Sequence, residues 1–138
     1  MAIQIRERTI GDISSRLDEM QTPLNKIAYL ESALKESGFT FEIKRFILLR
    51  LVELYEERRM FEKAGKAMAN KAGMDISFPD KIESYLRAAE LFSKSSKVDE
   101  ADEMFIRALR DGDETQRQKI KLARKNIFKI NADELERR

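Results

Sequence analysis

The chain has 138 residues, of which 42% are apolar and 38% charged, and its 27 basic and 25 acidic side chains leave a net charge of +2. That length suits a single domain with a real core, and near-neutrality gives no global field directed at nucleic acid or a membrane surface. There is no cysteine and no histidine, which removes disulfides, thiolate chemistry, structural zinc and the commonest general base.

Periodicity and punctuation predict an all-α fold of seven helices, near residues 6–20, 23–37, 41–57, 60–72, 80–94, 97–110 and 114–130. No segment alternates with period two, so no strand is expected. In the first helix Ile10, Ile13, Ser14 and Leu17 share a face. Thr22-Pro23 reads as a cap followed by proline at the first helical position, and Gly38 ends that helix before Thr40 caps the next. Asp80 with Glu83, and Asp113 with Gln116, have capping-box spacing, with Asp in place of Ser or Thr. Ser96 is placed to cap the sixth helix, whose first turn carries Asp99. From Asn131 onward the charged residues Glu134, Glu136, Arg137 and Arg138 read as a frayed end.

Met1-Ala2-Ile3-Gln4-Ile5-Arg6 has no apolar core of useful length for a signal peptide. The longest apolar stretch, Phe46 to Tyr55, carries Arg50 and Glu53 and is too short to span a bilayer. The expectation is a soluble cytoplasmic protein without a membrane span.

Two stretches of the chain match each other at a fixed distance. Tyr85, Ala88, Ala89, Phe92, Ala101, Phe105 and Ala108 have counterparts 37 positions earlier in Leu48, Leu51, Val52, Tyr55, Ala64, Met68 and Lys71. Only Ala108 against Lys71 loses its apolar character. The first four positions of each set form one helix face, and after a turn the small, large, small series forms a second. Small residues let two helices approach closely while the large ones fill the space between pairs. Self-similarity of this period marks a repeat protein.

The order Y85-L-R-A88-A89-E-L-F92 followed by A101-D-E-M-F105-I-R-A108 resembles the tetratricopeptide repeat family. The family period is about 34 residues, so three extra residues are expected, and G73-M-D-I-S-F-P79 is where Gly and Pro would accommodate them. The resemblance implies a single domain over residues 1–138 built from stacked antiparallel hairpins. Its parts would be a degenerate hairpin at 6–38, repeats at 41–73 and 80–110, and a capping helix at 114–130, where Ile120, Ala123, Arg124 and Ile127 echo the Tyr85 face. An alternative for the N-terminal part is a coiled-coil seam through Ile10, Ile13, Leu17, Met20, Leu24, Ile27 and Leu34, against which stand Pro23 and Glu31.

The family lines a concave groove with the first helix of each pair, on a side offset from the packing face. Carried onto this chain, the resemblance implies a groove of Phe46, Leu49, Glu53 and Glu56, then Glu83, Leu86, Glu90 and Ser93, then Gln118, Lys121, Lys125 and Phe128. Glu53 and Glu90 stand where members that grip acidic chaperone tails need an asparagine or a cation, which speaks against that activity. The expected function is non-enzymatic: an adaptor, scaffold or small chaperone binding a protein or peptide, with a basic amphipathic segment as the fitting partner. Self-association, including a homo-oligomer, is the alternative from a different class.

No Gly-rich phosphate loop and no G-x-S-x-G occur. Asp99, Glu100, Asp102 and Glu103 fall on the outer side of their helix, and Asp111, Asp113 and Glu114 lack the ligand ladder of a calcium loop. No catalytic residue, cofactor or metal is therefore expected. Residues 115–129 are basic through Arg117, Lys119, Lys121, Arg124, Lys125 and Lys129. Such a helix could lie along phosphates, but only Phe128 is at hand for base stacking. Nucleic acid is accordingly the weakest of the readings.

Overall fold

The computed structural model describes residues 3–136, with side chains to residue 129. Met1 and Ala2, part of the stretch read for a signal peptide, and Arg137 and Arg138, read as frayed, lie outside the described residues. Seven helices follow one another: α1 Ile10–Glu19, α2 Pro23–Leu34, α3 Phe41–Glu57, α4 Phe61–Met74, α5 Phe78–Lys94, α6 Val98–Asp111 and α7 Glu114–Glu136. The fold is all-α, with no strand among the described residues. None of these helices is long and apolar enough to cross a membrane.

Side chains beside the helix ends set most of the boundaries. The amides of Asn25 and Ile43 donate to the hydroxyls of Thr22 and Thr40 at 3.2 and 3.3 Å, as the sequence led one to expect. Asp113 and Gln116 form a complete reciprocal box, each amide donating to the other's side chain at 2.9 and 2.8 Å. Elsewhere the expected ends move. Helix α1 begins at residue 10, not 6, because Thr9 caps it by accepting from the Asp12 amide at 3.1 Å. The preceding segment is not helical; Ile5 is buried there, and Arg8 stacks over Phe39. Helix α2 stops at residue 34, short of 37, and the chain turns through Gly38 at a φ of 91°. Helix α5 starts at 78 because Ser77, not Asp80, is the cap, accepting from the Asp80 amide at 3.2 Å. Ser96 does not cap α6: its φ of 62° closes the preceding turn, and Lys97 holds the cap position with no side-chain bond. Helix α4 is shifted to 61–74, and α7 runs on to residue 136 where a frayed end was expected.

Each helix from α2 onward packs against the next, and α5 also reaches α7. The backbones of α1 and α2 make no extensive close approach; α1 is held by Ile13 and Leu17, both buried. Around buried Tyr29 of α2 lie Glu7 and Arg16, and burial followed by the Glu7 charge pushes its phenol above its ordinary value. A helix break at residues 20–22 and an exposed Leu24 interrupt the seam a coiled coil would need.

All the matched residues of both copies are buried except Lys71. Ala64 and Ala101 are wholly inaccessible, Ala64 on α4 and Ala101 on α6, the two helices that flank α5. Gly65 packs tightly too: a Cβ there would stand 3.0 Å from the Phe92 ring, so an added side chain would need the ring to give by a few tenths of an ångström. Ala101→Leu should cost about 1–3 kcal/mol by overpacking such a contact. A thermal melt indistinguishable from wild type would mean that α5 and α6 are not closely packed at this residue.

Candidate partner-binding groove

A groove of about 670 Å³ runs along α3, α5 and α7, with part of α4 at its base. Six of the twelve expected groove positions line it: Leu49, Glu53 and Glu56 from α3, and Glu83, Leu86 and Glu90 from α5. They come together because α3 and α5 bury the same face, through Leu48, Leu51, Val52 and Tyr55 and through Tyr85, Ala88, Ala89 and Phe92. The neighbouring strip on each helix then faces the same space. Leu49 is 42% exposed, while Leu86 is half-buried against the core.

Six expected groove residues lie elsewhere. Phe46 is half-buried and packs on the core. Lys121 and Lys125 are exposed but do not line the groove, to which α7 contributes Ala123 and Ile127. The cause is the setting of α7. Phe128 meets Phe105 of α6 edge-on, with centroids 5.9 Å apart, and Arg124 donates to Asp102 at 2.7 Å. These contacts turn the Phe128 side of α7 toward α6 and the Ala123 side toward α5. Ser93 is buried and Gln118 exposed; neither lines the groove.

Charge in the groove is largely committed internally. Arg87 of α5, a residue to which sequence reasoning gave no role, donates to both carboxylate oxygens of Glu56 on α3 and pairs with Glu90 at 3.0 Å. Burial alone would weaken its hold on the proton, but the two carboxylates outweigh that and raise its pKa. Glu53 pairs with Arg50 at 2.8 Å, and Glu90 also has Lys94 at 3.8 Å. Asp80 and Glu83 are exposed lining residues with no ion pair among the described residues. The uncompensated negative charge therefore sits toward the start of α5.

Beneath them lies a buried polar cluster. Lys71 donates to both oxygens of Asp75, at 3.0 and 3.2 Å, and stands 3.1 Å from the Ser84 hydroxyl, which itself donates to Asp75. Lys71 and Ser84 border the groove, while Asp75 is 6% exposed. This accounts for the one failed match between the copies. Where the second copy has Ala108, the first has a lysine tied to the segment joining α4 to α5.

Asp113 serves as the α7 cap, and no cluster of three or more acidic side chains among the described residues could hold a metal ion. On α7, Lys119, Lys121, Lys125 and Lys129 are exposed, while Phe128 is engaged by Phe105 and lies under Arg124 at 5.3 Å.

Comparison with protein-family models, with curated proteins and with solved structures returns no match.

Proposed function

We propose that this chain is a tetratricopeptide-type helical-repeat protein, without enzymatic activity, that holds a segment of a partner protein in the α3–α5–α7 groove. The observation that carries the reading is the groove itself. Corresponding positions of two self-similar helix pairs line one accessible channel, and it contains exposed Leu49 and half-buried Leu86. Apolar anchors set between charged positions are the usual requirement for taking up an amphipathic helix. With Glu53, Glu56 and Glu90 already paired, the charge that selects a basic partner belongs to Asp80 and Glu83.

The test is fluorescence anisotropy with a labelled amphipathic helix of leucine and lysine against the full chain. Leu86→Ala should weaken binding by roughly thirtyfold, the equivalent of a ~2 kcal/mol anchor. Asp80→Asn with Glu83→Gln should act mainly on the salt dependence. Wild-type affinity in the Leu86→Ala variant, or protection by the peptide of Lys66 and Arg107 instead of Leu49 and Leu86, would remove the groove from consideration.

A further inference from the structure

A second cleft lies on the other side of α3 and α4. Its volume is about 320 Å³, and α2 and α4 form its walls. Leu34, Leu48 and Leu51 make an apolar floor, and Lys35, Lys63 and Lys66 stand around it, all three exposed. The cleft's single carboxylate, Glu31, is engaged by the Tyr55 hydroxyl at 2.7 Å. Lys63 lies over the Tyr55 ring at 5.9 Å, and Lys66 has only a long 3.6 Å pairing with Glu62 on its own helix. Lys35 has no ion pair among the described residues. An apolar side chain with carboxylates a helical turn away is the chemistry that would fill this cleft.

The chain itself displays that chemistry. On α6 the packing side is Ala101, Phe105 and Ala108, so the opposite side carries Ile106 with Asp99 and Glu103. Ile106 is 53% exposed, a large apolar group left in solvent with Glu103 one turn before it and Arg110 one turn after it. Glu103 is bound by Arg107 at 3.2 Å on the surface, whereas Asp99 and Glu100 have no partner among the described residues. In a two-fold dimer, α6 of each copy can lie over the cleft of the other, making two equal contacts.

We infer that the α2–α4 cleft receives α6 of a second copy, with Ile106 on the leucine floor and Asp99 and Glu103 facing Lys63 and Lys66. This dimer does not depend on the groove reading, since it uses the opposite sides of α3 and α4. Helix-in-cleft docking supplies the apolar contact, and the charges set orientation.

Sedimentation velocity on the full chain tests it. Wild type should shift from monomer to dimer as concentration rises. Lys63→Glu with Lys66→Glu should leave a monomer, and so should Asp99→Lys with Glu103→Lys. Mixing the two variants should restore a dimer, because both contacts in the mixed pair regain opposite charges. Ile106→Asp, a change at an exposed position, gives a second monomeric form should either charge-reversed protein lose its helical circular dichroism. A wild type that stays monomeric throughout overturns the proposal. So does a dimer indifferent to these substitutions, or a mixture of the two variants that fails to associate.

Discussion

Lys71→Ala is expected to lower the free energy of unfolding by about 3 kcal/mol, the lower end of the range for removing one member of a buried ion pair. Asp75 would keep its carboxylate in a site where it is 6% exposed, with the Ser84 hydroxyl as its remaining side-chain donor. The lower end applies because the Lys71 side chain is itself 17% exposed, so water can enter part of its place. The charge should be the cause, not lost packing. Lys71→Ala combined with Asp75→Asn should then recover most of the loss, since an uncharged amide can still accept from Ser84. The second copy already lives without such a pair, having Ala108 and Gly112 at the matching positions. Urea titrations of the two single variants and the double variant close the cycle. A single-variant loss below ~1 kcal/mol would place the pair among solvated surface contacts.

That cluster shows where reading the sequence stops. Seven helices were legible because each carries its own period, and the caps at Thr22, Thr40 and Asp113 were legible because a cap bonds within three residues. Ser96 has the right chemistry for a cap, but its positive φ is imposed by the turn out of α5. At the other end, Thr9 sets the start of α1, while Ile5 is buried in a non-helical segment that has no helical period to reveal it.

The groove was half legible. An offset from the packing face is a local property, so the groove side that the family resemblance implied does bring Leu49, Glu53, Leu86 and Glu90 into one channel. The same offset misplaced Lys121 and Lys125. Helix α7 is turned by Phe128 on Phe105 and Arg124 on Asp102, contacts that no local spacing reveals. Arg87 was invisible for a related reason. It looks like an ordinary solvated cation until α3 brings Glu56, 31 residues away in sequence, against it. Gly65 likewise carries no signal in the sequence, its role resting on the Phe92 ring 3.0 Å from where a Cβ would stand.

Phe105→Ala should have an effect at least as large as that of Lys71→Ala, because the ring is wholly buried where α6 meets α7. Truncating a buried phenylalanine costs about 3–5 kcal/mol, a large share of the roughly 5–15 kcal/mol that holds a typical domain together. The loss should be uneven along the chain. The α4–α5 contact, with Gly65 against Phe92, does not involve this ring. Helix α7 would lose the partner of Phe128 and be left with Ile120, the exposed Arg124–Asp102 bond and the Arg117 bond to the Leu109 carbonyl as its ties to α6. An exposed ion pair contributes about 0–1 kcal/mol, too little to hold a helix in place. Amide exchange should therefore quicken in α7 before it does in α4 and α5, as it does when one end of a repeat array opens by itself. Phe128→Ala should produce the same local release with a smaller global loss, since Phe128 is only half-buried. Because Ala123 and Ile127 form one wall of the groove, both variants should also weaken the leucine–lysine helix without touching Leu86. If α7 amides exchange as fast in wild type as in Phe105→Ala, the last helix is not docked through this ring, and the groove has to be redrawn with α3 and α5 alone.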